Sequence, residues 1–264
     1  MKIALCTGLN LYPDPRNNLR GCVPDALAFT EYFKNKKHFD SVTTILDKNA
    51  KFIPVVTALK DAIASCNAGD HFVWTNSSHG SQGPDKNGDE SDRLDECICL
   101  YDKFLYDDDI RTILDTAKPG VSITIVSDSC FSGTVTRQFF NDSHDDVFYR
   151  KPRYMVPTDK NVLAAINKSH SKKRLFRGET AEKDMKEILI SGCSDKQYSA
   201  DAYFNGKFSG ALTYHMLDIL NNATIDLTYN QFYIALRSRL PSDTYEQIPQ
   251  LEGSEENKNK IMFS

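Results

Sequence analysis

Short β-rich apolar runs recur along this chain with amphipathic helical stretches between most of them, and that alternation most limits the folds open to it. Runs at 2–8, 42–46, 70–76, 96–100, 121–126 and 187–191 read as strands. Between and after them, 24–34, 54–66, 107–115, 209–220 and 229–239 carry apolar residues at helical spacing. Ala26, Phe29 and Phe33 fall on one side of the first helix, and Val55, Leu59 and Ile63 on one side of the second. Strands alternating with helices predict an α/β fold, a mostly parallel central sheet flanked by helices on both faces. At 264 residues the chain is long enough for one such domain with a substantial core.

In open parallel sheets, chemistry gathers beyond the carboxyl ends of the strands. Two strands here end in reactive residues. Ser78-His79-Gly80 follows one, and Asp128-Ser129-Cys130-Phe131-Ser132-Gly133 follows another. An imidazole and a thiol brought together make a general base and a nucleophile. The backbone N–H groups of Gly80 and Cys130 are candidate oxyanion donors.

Seven cysteines at 6, 22, 66, 97, 99, 130 and 193 are an odd number in a chain that is not small. They predict a reduced, cytoplasmic protein rather than a disulfide framework. Cys97 and Cys99 have the wrong spacing for a zinc knuckle and read as two buried thiols on one strand face. No apolar run approaches the ~18 residues of a membrane span. The net charge of −4 gives no global reason to expect nucleic acid binding.

Charge is nevertheless uneven. Residues 85–109 hold ten acids against three bases, and residues 150–178 hold nine bases against one acid. The basic stretch has little periodicity and reads as a long exposed loop between two halves of the fold. It lacks the interleaved aromatics of a nucleic-acid stacking platform.

The motifs together resemble the caspase-like cysteine peptidases, and among them the metacaspases and orthocaspases. Leu19-Arg20-Gly21-Cys22-Val23-Pro24-Asp25-Ala26 is similar to a family motif. So are the histidine and cysteine segments and the stretch from Ser191 to Asp201, which looks like the start of the family's small subunit. The 51 residues from His79 to Cys130 match the roughly 50 described for caspases. The resemblance implies one catalytic domain over 1–264, with a large-subunit-like region at 1–149, a basic loop at 150–186 and a small-subunit-like region at 187–264.

It also implies roles. His79 would be the base and Cys130 the nucleophile of an endopeptidase that cuts after Arg or Lys. Asp25, Ser77 and Asp128 would form an acidic S1 pocket, the pocket for the residue just before the cut (P1). Buried carboxylates need a cationic partner, which a basic P1 side chain supplies. A calcium site would draw on Asp95, Asp107 and Asp108. Its fourth position, seven residues after the nucleophile, is Arg137, a cation that would repel the ion. The chemistry is expected to need no cofactor, with calcium at most an activator. An enzyme of this specificity has cleavage candidates in its own basic loop: Arg153, Lys168, Lys172, Lys173, Arg174 and Arg177. Expected partners are protein or peptide substrates with basic P1 residues, for a monomer with no nucleic acid or membrane partner. The rival readings are a catalytically silent interaction module and another thiol hydrolase on the same fold.

Overall fold

The computed structural model describes residues 1–84, 94–131, 149–168, 182–193 and 197–264. Its frame is a six-stranded sheet of β1 (Lys2–Gly8), β2 (Ser41–Leu46), β3 (His71–Ser77), β7 (Ser122–Asp128), β9 (Glu187–Ser191) and β12 (Gln250–Glu252). Their order is β12-β9-β7-β3-β1-β2. Every pairing is parallel except β12 with β9.

Helices cover both faces: α1 (Cys22–Asn35), α2 (Phe52–Ser65), α3 (Asp107–Leu114), α5 (Ala211–Asn222), α6 (Tyr229–Arg237) and α7 (Glu255–Lys258), while α4 (Lys160–Lys168) packs apart from them against Leu94. Side chains alternate across a strand, so each inner strand feeds two cores. Leu5, Phe72, Trp74 and Ile125 pack with Val55, Leu59 and Ile63 of α2 on one face. Ala4, Cys6, Val73 and Val126 pack with Phe29 and Phe33 of α1 and Met216 of α5 on the other. Each large apolar side chain so buried contributes about 1.5–3 kcal/mol before entropy is counted. The two-sided burial explains why the inner strands are continuous apolar runs.

Two small antiparallel sheets complete the fold. One joins β4 (Gly80–Pro84), β5 (Leu94–Cys99) and β6 (Phe104–Tyr106); the other joins β8 (Arg150–Pro152), β10 (Ala200–Phe204) and β11 (Lys207–Gly210). Cys97 and Cys99 are buried on β5.

The basic stretch departs from the exposed loop expected of it. It contains β8 and α4, and Arg153 is completely buried. β8 exists because β10 offers it a partner edge: Pro152 pairs with Ala200, Lys151 with Asp201 and Arg150 with Ala202. The fourth expected helix, at 209–220, also starts late, because Ser209 and Gly210 finish β11 instead. Among the described residues, no helix is long and apolar enough to cross a membrane.

Candidate active site

β3 and β7 run parallel in a register that sets Ser77 beside Asp128. The chain then leaves the sheet from both strands, carrying Ser78-His79 on one side and Ser129-Cys130 on the other. A buried network joins the two exits. Asn76 donates both Nδ2 protons, to Ser78 Oγ and Ser129 Oγ at 3.0 Å each, and its Oδ1 accepts from Thr7 Oγ1 at 2.9 Å. At Gly80 the motif backbones touch: a Cβ there would lie 2.1 Å from the Cys130 carbonyl oxygen.

His79 is oriented by backbone. Its Nε2 lies 2.7 Å from the Asn17 carbonyl, which can only accept, so Nε2 carries the proton and Nδ1 keeps the lone pair. Nδ1 is buried and has no hydrogen-bond partner among the described residues. Its backbone N–H donates to Tyr12 Oη at 2.9 Å. Burial pulls the imidazole down to about 3, so the ring is neutral. The thiol of Cys130 donates to the Gln197 carbonyl at 2.9 Å, and the neighbouring Cys193 thiol is pushed well up by Cys130 and by burial.

Arg153 occupies the space between these groups. Its guanidinium is ringed by acids. Nη2 donates to Asp25 Oδ2 at 2.7 Å and Asp201 Oδ1 at 3.0 Å. Nη1 donates to Ser77 Oγ at 2.6 Å and sits 3.2 Å from Asp128 Oδ2. Ser77 passes its own proton to Asp25 Oδ2 at 2.6 Å. The acids are themselves held: Asp128 Oδ2 accepts from Thr213 N–H and Oγ1, and Asp201 from the N–H groups of Arg20 and Gly21. A Cβ on Gly210 would lie 2.4 Å from Arg153 Nη1, so a residue without a side chain is required at that wall. Burial, with Asp128 nearby, pushes Asp25 up to about 6 against the opposing pull of Arg153.

The backbone around Arg153 is equally held. Its carbonyl oxygen accepts from Gly80 N–H at 2.9 Å and Cys130 N–H at 3.1 Å. Its N–H donates to the Ser199 carbonyl at 3.0 Å, and Met155 N–H donates to the Gly80 carbonyl at 2.8 Å. Residues 150–155 therefore lie extended across the site. A carbonyl rests on two converging donors, and the adjacent basic side chain fills a pocket of carboxylates. This geometry suits attack on an acyl carbon that follows a cationic side chain.

Three of the expected pocket residues, Asp25, Ser77 and Asp128, come together from α1, β3 and β7. The fourth, Asp201 on β10, was missed as a pocket residue, although it closes the Ser191–Asp201 motif. Asp95 lies on β5, and Asp107 and Asp108 open α3. Among the described residues, no group of three or more His, Cys, Asp or Glu is arranged to hold a metal ion. Arg137, Lys172, Lys173, Arg174 and Arg177 lie outside the described residues. Lys168 ends α4, with its side chain outside the description.

A family model described as Caspase domain matches residues 1–260. Metacaspase-1 of Mycosarcoma maydis is 29% identical over an alignment covering 98% of this chain and 72% of its own length. Metacaspase-1 of Yarrowia lipolytica is 27% identical, covering 99% of this chain and 63% of its own. The chain thus spans between 63% and 72% of the length of these two relatives. The crystal structure of a Geobacter sulfurreducens protein superposes with a TM-score of 0.72 at 29% identity, covering 100% of this chain and 98% of that one.

Proposed function

This chain belongs to the caspase domain family of cysteine peptidases, and from that premise we propose that it is an endopeptidase that cuts after arginine or lysine, with its own Arg153–Tyr154 bond as its first substrate. One observation carries the reading: the Arg153 side chain lies among Asp25, Ser77, Asp128 and Asp201 while its carbonyl accepts from the N–H groups of Gly80 and Cys130, the contacts a P1 residue would make.

The proposed reaction follows from those groups. His79 Nδ1 takes the Cys130 thiol proton, and the sulfur attacks the Arg153 carbonyl carbon. The carbonyl oxygen gains its negative charge while already on two donors, so no dipole has to turn to meet it. The imidazolium gives its proton to the nitrogen of Tyr154, the C–N bond breaks, and a thioester joins Arg153 to Cys130. Water, deprotonated by His79, then attacks the thioester; the sulfur leaves and recovers a proton. Until the first cut the pocket is filled by the chain itself, which makes the uncut form a zymogen.

Reporter peptides with Arg, Lys or Asp at P1, given to the cut enzyme with calcium or with a chelator, test the specificity. Turnover of the Arg and Lys peptides is expected. Turnover of the Asp peptide alone, or of none, would overturn the proposal.

A further inference from the structure

Residues 14–18 form a small surface turn. Pro15–Asn17 make one turn of 3₁₀ helix, Asp14 accepts from Arg16 N–H at 3.0 Å, and Asn18 N–H bonds the Pro15 carbonyl at 3.1 Å. Its three successive carbonyls, those of Arg16, Asn17 and Asn18, are all engaged. The middle one orients His79 through Nε2 at 2.7 Å. The outer two accept from a single donor, Nζ of Lys151, at 2.7 and 2.9 Å. Lys151 lies two residues before Arg153, at P3 of the bond proposed to be cut.

One ammonium therefore brackets the peptide unit that holds the base. Carbonyl dipoles converging on one region repel one another, and a cation between them relieves that repulsion. Bonds from a charged donor are also stronger than those between neutral groups. Asn17 and Asn18 are only half-buried, and Arg16 is exposed, so little apolar packing fixes the turn.

We infer that a lysine at P3 is part of the machinery that sets His79: it clamps the 14–18 turn and so fixes the Asn17 carbonyl that holds the imidazole tautomer and direction. This rests on the endopeptidase reading above and adds a substrate requirement to it. The P3 ammonium acts in the acylation step as well as in binding, so the preferred substrates carry lysine at P3 with a basic P1.

The test uses the cut enzyme and two reporter peptides, Ala-Lys-Pro-Arg and Ala-norleucine-Pro-Arg. Norleucine keeps the four-carbon stem and lacks the ammonium. The expected fall in kcat/KM is about 10-fold or more, the scale of losing hydrogen bonds to a charged group. Part of that loss is expected in the single-turnover acylation rate at saturation. Equal saturated acylation rates, with the difference confined to KM, would overturn the inference and leave the endopeptidase reading standing. Cleavage of neither peptide would overturn both. In the intact chain, Lys151→Met is expected to slow self-cleavage and Lys151→Arg to slow it less; a K151M chain that cuts itself at the wild-type rate also overturns the inference.

Discussion

Two acid-rich regions of this molecule behave in opposite ways. Around Arg153, four elements each contribute one polar or acidic group, and all converge on a single guanidinium. At β5 and the start of α3, Asp95, Asp107 and Asp108 come from two adjoining elements, and among the described residues no group of three or more His, Cys, Asp or Glu is arranged to hold a metal ion. Local density of carboxylates does not make a site. Convergence does, and convergence needs a sheet that delivers strand ends from distant parts of the chain to one edge.

Substitutions can break that contrast. Among the pocket acids the largest effect is expected for Asp128→Ala, which removes a buried partner of the Arg153 guanidinium at a cost of about 3–5 kcal/mol. Initial rates of self-cleavage should fall by about 100-fold or more. Arg153→Ala should abolish the cut at 153–154 and leave the pocket carboxylates facing one another; a lowered midpoint in thermal unfolding of this variant reports the loss. Asp201→Asn keeps the shape but removes one charge and turns one of the two accepting oxygens into a donor, and is expected to raise KM for Arg peptides by about 10-fold.

A pH profile sharpens the contrast. Asp25 is pushed up to about 6, mainly by burial, so its carboxylate is lost as pH falls through that value. P1 arginine binds the ionised form better. That value holds beside Arg153, whose charge opposes it, so KM for an Arg peptide is expected to rise as pH falls toward about 6 and level off below it, while a variant with Asn at 25 shows a flatter profile. The smallest effect is expected at the other acidic region. Asp107→Asn and Asp108→Asn remove charge from the first turn of α3, worth about 0.3–1 kcal/mol each in stability. Self-cleavage rates of both variants should stay within about threefold of wild type.

Much of this was legible in the sequence, because the inner strands are apolar on both faces and end in motif residues. The first strand and β9 match their expected limits residue for residue. What escaped depends on distant partners. Helix α1 begins two residues before Pro24 because Asn10 Oδ1 accepts from the N–H groups of Cys22 and Val23. β8 is three residues long and ends in proline, so no local pattern announces it. The fate of Arg153 was the least legible feature. A basic residue in a basic stretch reads as exposed, and only the joint arrival of residues 25, 77, 128 and 201 makes its complete burial tolerable.

The most direct measurement is the intact mass and new N-terminus of freshly made wild-type chain beside Cys130→Ala. The expected result is a wild-type fragment beginning at Tyr154 and a Cys130→Ala chain that stays whole. A wild-type chain that stays whole, or a Cys130→Ala chain cut at the same bond, would contradict the reading of Arg153 as a bound P1 residue.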